Sequence, residues 1–246
     1  MPHEIKAVLF DVGGPLDTET IMDREIDNQI LASFRANGVV ISDDEYAAVN
    51  QWAVDVFAPK TYHSIMWEIA KGDMELIARV ESELMETVPQ RNKMRGDFEV
   101  REGIGDLLDE LVDQGLLLGL AANQPTESLK NMENHGILKY FSYKEVSGSI
   151  KLRKPDPRLL LHSCEGLGVQ PREAIMIGDR IDNDIVPARM LGMAAIRFVS
   201  GRHASQQPRS WNEAPHADVT SVDELSKVIR QFVQNPPNVE NDDSPE

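Results

Sequence analysis

The sequence has almost no cysteine and no long apolar run. Its single cysteine, Cys164, has no second thiol to pair with, which excludes an internal disulfide and favours a reducing compartment. No apolar stretch approaches the roughly 20 residues that a helix needs to cross a bilayer. The first residues, Met1–Phe10, also lack the basic, apolar and small-residue succession of a signal peptide. We therefore expect a cytoplasmic protein that does not contact a membrane.

Positive charge is scarce as well. Asp and Glu number 41 against 25 Lys and Arg, which gives a formal net charge of −16 over 246 residues. Phosphate backbones and anionic lipids would repel this chain, so nucleic acid and membrane are not expected partners. An excess of carboxylates usually serves solubility. The hydrophobic content of 41% is enough for one sizeable core, alone or with a small second domain.

Four short apolar runs predict strands that are buried on both faces. They are Ile5–Phe10, Leu116–Ala121, Ala174–Ile177 and Ala194–Val199. Helical stretches separate the last three runs: Pro125–Asn134, Pro157–Gly166 and Asn183–Leu191. Strands that alternate with helices predict an α/β fold with a Rossmann-like, doubly wound parallel sheet. Ligands of such sheets bind just beyond the carboxyl ends of the strands, so the residues after each run form the candidate site.

The segment 17–98 has no strand-like run. Its apolar residues recur at helical spacing, as in Ile26, Ile30 and Phe34. We expect four or five helices there, forming an all-helical unit inserted after the first strand. Ser42, followed by three acidic residues, has the pattern of a helix start.

The remaining boundaries follow from this insertion. Residues 1–16 and 99–234 are expected to form the α/β core. The end of the chain, 235–246, is rich in proline and acidic residues and has no apolar face, so we expect it to be disordered.

Several chemically useful residues follow the predicted strands. Asp11 ends the first run and is followed by Gly13 and Gly14, whose backbone could approach an anion closely. Asn123 follows the second run and could donate a hydrogen bond to an oxyanion, although a turn or helix cap would also use it. Lys154 ends a basic stretch and precedes a proline, which makes it an informative cation in an acidic chain.

The strongest local pattern follows the third run. Asp179, Asp182 and Asp184 emerge together from a buried strand, and carboxylates this close need a compensating cation. Hard oxygen ligands suit Mg²⁺. A solvated acidic turn with Asp182 as a helix cap is the alternative. In the doubly wound topology, Asp11 and Asp179 would flank the cation with Lys154 opposite.

In order and spacing these residues resemble the haloacid dehalogenase-like (HAD) hydrolase superfamily. Its first motif, DxDG(T/V)L, is similar to Asp11-Val12-Gly13-Gly14-Pro15-Leu16. Its second motif, a strand-ending Ser or Thr often followed by Asn, is similar to Ala122-Asn123. The KPDP form of its third motif is matched by 154–157, and GDxxxxD by 178–184.

This resemblance implies a role for each motif. Asp11 would form an aspartyl-phosphate, and Lys154 would hold both Asp11 and the phosphoryl group. Mg²⁺ would be bound by Asp11, Asp179 and the backbone carbonyl of Gly13, with Asp184 supporting or ligating it.

The same resemblance implies the substrate contacts and the partner. Gly13, Gly14, Asn123 and Lys154 would contact the substrate phosphate. The helical insertion, 17–98, would be the cap that closes over the site and selects the substrate. The expected partner is a small phosphorylated metabolite, bound by a monomer or a homodimer.

Two motif positions depart from the family pattern. Gly13 stands where the family has a second aspartate, which protonates the leaving oxygen, and losing such a group costs about 10²–10⁴-fold in rate. Ala122 stands where a Ser or Thr hydroxyl would bind phosphate, and Pro15 replaces the usual Thr or Val.

These departures leave three hypotheses. The first is a Mg²⁺-dependent phosphatase that is slow or suited to good leaving groups. The second is a 2-haloacid dehalogenase-type hydrolase, because halide leaves without an acid, although it would give the Asp179–Asp184 cluster no purpose. The third is a catalytically impaired binding or regulatory protein on the same scaffold.

Overall fold

The structure of the protein is a computed structural model that describes residues 4–18, 20–89 and 99–238. Its described residues divide into two compact units. The first takes those of Met1–Thr18, Glu99–Ala204 and Pro208–Glu246, and the second takes those of Glu19–Phe98 together with Ser205–Gln207. Part of the expected helical insertion (90–98) and most of the tail expected to be disordered (239–246) lie outside the described residues.

Strands and helices alternate through the first unit, and helices fill the second. The strands are β1 (Ala7–Phe10), β2 (Leu117–Leu120), β3 (Ala174–Gly178), β4 (Ala194–Phe198) and β5 (Ala217–Val219). The α-helices of the described chain are α1 (Thr20–Ala36), α2 (Asp43–Asp55), α3 (Thr61–Ala70), α4 (Met74–Glu86), α5 (Ile104–Asp113), α6 (Glu127–Asn134), α7 (Ser147–Ile150), α8 (Arg158–Leu167), α9 (Val186–Met190) and α10 (Val222–Gln234). None of these helices is long and apolar enough to span a membrane.

The sheet has the order β2-β1-β3-β4-β5, and all neighbouring strands are parallel. The predicted α/β fold with a doubly wound parallel sheet is therefore confirmed. The four predicted strands are β1 to β4. The fifth strand, β5, was not predicted, because it is a three-residue edge strand with Asp218 at its centre, so it carries no apolar run.

Apolar sequence explains why the central strands are buried. All four residues of β1 are fully buried, as expected of a strand covered on both faces. The helix α5 turns Leu107, Leu108 and Leu111 into the core, at the spacing of an amphipathic helix. The predicted helices 125–134 and 157–166 are present as α6 and α8.

The predicted helix Asn183–Leu191 has a less regular start. A π-helical turn, Ile181–Ile185, leads into the short helix α9. This wide turn lies directly after β3 and carries the last residue of the aspartate cluster, Asp184. The irregular backbone thus occurs at the candidate site, where π-helical segments are common.

The second unit consists of α1 to α4 and its own apolar core, to which Ile30, Phe34 and Ile65 belong. Its helix α2 begins where the sequence predicts: the Glu45 amide donates to the Ser42 hydroxyl at 3.2 Å, and the Ser42 amide donates to the Glu45 carboxylate at 2.8 Å. This capping box satisfies two amides that the first turn leaves unpaired.

Candidate active site

The carboxyl ends of β1 and β3 lie side by side. Phe10 pairs with Ile177 in the parallel register, and the Asp11 amide donates to the Ile177 carbonyl at 2.8 Å. Asp11 therefore extends β1 at the same edge where Asp179 follows the end of β3. The strand register alone brings these two carboxylates to one edge of the sheet, which is the edge where doubly wound folds bind ligands.

Lys154 lies between two carboxylates of the site. Its Nζ is 3.0 Å from Asp11 Oδ1 and 2.5 Å from Asp184 Oδ1. The Lys154 and Asp184 side chains are almost completely buried, at 1% and 0% exposure, whereas Asp11 retains 14%. The same Asp11 Oδ1 also accepts the Val12 amide at 2.8 Å. Asp11 is thus the member of the trio that is held in place and still reachable from solvent.

Burial and charge act in opposite directions on this trio. Burial alone would lower the pKa of the Lys154 ammonium, but the charges of Asp11 and Asp184 outweigh it and raise that pKa. Burial raises the pKa of Asp184 to about 6, against the opposing effect of Lys154 and with a further rise from Asp11. Lys154 therefore stays charged at neutral pH and can neutralise a bound anion beside Asp11.

Asp184 is fixed by groups on both of its oxygens. Oδ1 accepts from Lys154 and Oδ2 accepts the Arg180 amide at 3.0 Å. The carboxyl group also occupies the space that a Cβ at Gly178 would fill, so only glycine fits there. This packing explains the glycine that stands six residues before Asp184, at the end of the strand. Asp184 holds Lys154 in the structure.

Gly13 and Gly14 form a tight loop after Asp11. Gly14 has a φ of +84°, and a Cβ there would stand 2.6 Å from the Cβ of Asp179. Glycine is therefore required both by conformation and by close packing. The Gly14 amide donates to the Asp17 carbonyl at 2.8 Å, so this amide is already engaged within the loop.

The backbone amide and carbonyl of Gly13, unlike the Gly14 amide, are not engaged within this loop. Gly13 and Asp17 form an isolated β-bridge, but its hydrogen bonds come from the residues that flank Gly13. No described residue forms a hydrogen bond with the amide or carbonyl of Gly13 itself. Gly13 is buried. A buried carbonyl without a partner is uncommon, and it suits a ligand or ion.

The carboxylates of the site form a cluster of coordinating size. One oxygen from each of Asp11, Asp179 and Asp184 lies within 4.8 Å of the others. Three hard oxygen donors fit Mg²⁺ by chemistry and by charge.

Asn123 and Ala122 follow β2. The Asn123 side chain donates to the Lys154 carbonyl at 2.9 Å and accepts the Lys154 amide at 2.8 Å. This paired contact fixes the backbone of Lys154. Ala122 is fully buried and brings no hydroxyl to the site, and its carbonyl accepts the Ser147 amide at 3.0 Å.

Two features of the site were not predicted. Asp182 is not a member of the carboxylate cluster of Asp11, Asp179 and Asp184, and it forms an ion pair with Arg180 at 2.6 Å. Arg101 donates from Nε to the Gly14 carbonyl at 2.8 Å. No motif or spacing marks Arg101 in the sequence, because it lies 85 positions beyond the end of the first motif (Leu16 to Arg101) and its contact depends on the folded loop.

Comparison with known proteins supports the assignment by motif. The family model described as haloacid dehalogenase-like hydrolase matches residues 5–192. The chain is 25% identical over 238 residues to a glyceraldehyde 3-phosphate phosphatase of Methanopyrus kandleri, covering 94% of this chain and 100% of that protein. It is 30% identical over 190 residues to a phosphoglycolate phosphatase of Agrobacterium fabrum, covering 70% of this chain and 81% of that protein. The crystal structure of a HAD phosphatase from Thermococcus onnurineus superimposes with a TM-score of 0.58 at 25% identity, covering 92% of this chain and 98% of that chain.

Proposed function

Because this chain belongs to the haloacid dehalogenase-like hydrolase family, we propose that it is a Mg²⁺-dependent phosphatase of a small phosphorylated metabolite. The observation that carries the proposal is the geometry at Asp11. Its carboxylate is partly exposed and lies 3.0 Å from the Lys154 ammonium. With Asp179 and Asp184 it forms a cluster of carboxylates that could hold a metal ion. Relatives over most of the chain bear the names of phosphatases of three-carbon and two-carbon phosphates.

Asp11 is the proposed nucleophile. One carboxylate oxygen forms a bond to phosphorus while the bond from phosphorus to the leaving oxygen breaks, which yields an aspartyl-phosphate. Gly13 supplies no proton, so the leaving oxygen takes its proton from water. A second water then attacks the phosphorus, passes a proton to solvent and releases inorganic phosphate from Asp11. Lys154 offsets the negative charge in both steps.

The cation would be held by Asp11, Asp179 and the Gly13 carbonyl. When bound, Mg²⁺ would offset charge on the phosphoryl oxygens. Asp184 contributes through Lys154 rather than as the main ligand, because both of its oxygens already have partners. Asn123 has the corresponding role on the backbone side of Lys154. The contacts of each group support this division of roles.

The helical unit, Glu19–Phe98, is the proposed cap. It is inserted between the first and second motifs, the place of substrate-selecting caps in the resembled family. We place the protein in the cytoplasm, in keeping with its single, buried Cys164.

The test is phosphate release from a panel of acyl, aryl, sugar and nucleotide phosphates, with Mg²⁺ and with EDTA. We expect Mg²⁺-dependent release that is fastest for acyl and aryl phosphates, whose leaving groups need little protonation. Asp11→Asn should reduce release to background. If no substrate is hydrolysed with Mg²⁺ faster than by Asp11→Asn, the proposal fails. Halide release from a 2-haloacid that persists in EDTA would favour the dehalogenase alternative instead.

A further inference from the structure

Arg101 contacts two carbonyls of the loop that follows Asp11. Its backbone amide donates to the Leu16 carbonyl at 3.0 Å, and its side-chain Nε donates to the Gly14 carbonyl at 2.8 Å. Arg101 lies just before α5, where the chain re-enters the α/β unit. One residue from a distant part of the sequence therefore fixes the first-motif loop twice.

The other side of the same guanidinium is anchored at the end of β4. Its Nη2 donates to the Ser200 hydroxyl at 3.3 Å, and its central carbon lies 4.4 Å from the centre of the Phe198 ring. Phe198 is fully buried, so the guanidinium stacks on a ring of the core. Arginine suits the position because its planar group can stack on a ring and donate in two directions at once.

The loop that Arg101 holds packs directly on Asp179. The Gly14 Cα approaches Asp179 so closely that a Cβ would overlap its side chain. Ser200 Oγ borders the same space, 3.5 Å from that Cβ position. Asp17 and Asp179 both attract the guanidinium, while burial lowers the pKa of Arg101. A shift of the Gly14 peptide would therefore move the neighbouring Gly13 carbonyl relative to Asp179.

We propose that Arg101 is a positioning residue for the divalent cation, holding the Gly13–Gly14 segment against Asp179 so that the two oxygen donors stay aligned. This inference rests on the Mg²⁺-dependent function proposed above. A purely electrostatic role predicts the opposite result, because a positive guanidinium near the cluster repels a cation and its removal would tighten binding. The sign of the change in Mg²⁺ affinity separates the two roles.

The experiment is calorimetric titration with Mg²⁺ in the absence of substrate. The variants are Arg101→Met, Arg101→Lys and Ser200→Ala, and the matched control is Arg230→Met, an arginine on α10 that pairs with Glu110 at 2.6 Å. We expect Arg101→Met to weaken Mg²⁺ binding by about 10–100-fold, the range found when groups that orient metal ligands are lost. Arg101→Lys keeps the charge but should also weaken binding, Ser200→Ala should weaken it less, and Arg230→Met should match the wild type.

Thermal unfolding with and without Mg²⁺ provides a second readout. A merely structural Arg101 would lower the unfolding temperature equally in both conditions, whereas a positioning residue also shrinks the rise caused by Mg²⁺. Unchanged or tighter Mg²⁺ binding by folded Arg101→Met overturns the inference. If that variant does not fold, wild-type affinity in both Arg101→Lys and Ser200→Ala overturns it. A wild-type protein that binds no Mg²⁺ refutes the proposed function, which is a different outcome.

Discussion

In the proposed mechanism, Gly13 limits which substrates the site can turn over quickly. Asp11, the proposed nucleophile, lies beside Lys154 and belongs to the carboxylate cluster, but Gly13 offers no side chain to protonate a leaving oxygen. An alkoxide leaves poorly without a proton, whereas an acyl or aryl oxygen leaves readily. The loop conformation does not demand glycine at this position, since Gly13, unlike Gly14, does not have a positive φ. A side chain at position 13 is therefore compatible with the backbone.

Gly13→Asp should restore a general acid and raise the hydrolysis of alkyl phosphates. Such groups contribute about 10²–10⁴-fold, and the gain should be much smaller for aryl phosphates, which do not need the proton. The measurement is kcat/KM for an alkyl and an aryl phosphate, compared between Gly13→Asp and the similarly shaped Gly13→Asn. Equal rates in the two variants would contradict the idea that a missing general acid limits the hydrolysis of alkyl phosphates. They would show that the natural site protonates the leaving oxygen by another route.

Among the structural elements, β3 and the π-helical turn after it carry the charged centre of the site. The strand ends in a glycine because the Asp184 carboxyl, returning from the turn, fills the space beside it. The turn thereby places Asp184 against Lys154 and the Arg180 amide. The stability of this element and the position of Lys154 therefore depend on the absence of a Cβ at Gly178.

Gly178→Ala should destabilise the protein and reduce its activity, because its methyl group overlaps the Asp184 side chain. Overpacking of this kind costs about 1–3 kcal/mol in the free energy of unfolding. The matched control is Gly105→Ala in α5, where a Cβ meets nothing within 4 Å and alanine should stabilise the helix by about 0.5–1 kcal/mol. Urea unfolding of both variants decides the matter: if Gly178→Ala is as stable as Gly105→Ala, the packing argument is wrong.

For the molecule as a whole, the sequence predicts most of the fold but only part of the candidate site. The apolar runs, and the motifs around Asp11, Lys154 and Asp179, are local patterns in the sequence, so they predict both the sheet and the residues at its edge. Contacts between distant segments leave no such pattern. The guanidinium of Arg101 on Gly14 is one of them, and the packing of Ser205–Gln207 with the helical unit through Gln51 is another.

Buried histidines make the stability of the whole chain depend on pH. Burial lowers the pKa of His203 to about 3, with Arg180 adding to the effect, and burial lowers the pKa of His216 to about 4, with Arg189 adding to it. Both start from 6.5, so the unfolded chain binds more protons than the folded one below that pH. The contribution of the two neutral histidines to the free energy of unfolding is fully present above about pH 6.5 and is lost as the pH falls towards 4 and 3.

Asp184 acts in the opposite direction. Its pKa rises from 3.8 to about 6, so its contribution is present below 3.8 and lost as the pH rises through about 6. Two histidines oppose one aspartate, so the net free energy of unfolding should fall as the pH is lowered from about 7 to about 5.

His203→Gln tests this balance, because it removes one titrating group whose buried Nδ1 has no hydrogen-bond partner in the described chain. The slope of unfolding free energy against pH between about 5 and 7 should decrease by up to one proton, which is about 1.4 kcal/mol per pH unit. Urea unfolding of His203→Gln and of the wild type across that range measures the slope. An unchanged slope in His203→Gln would mean that His203 binds its proton equally in the folded and unfolded states, contrary to its burial.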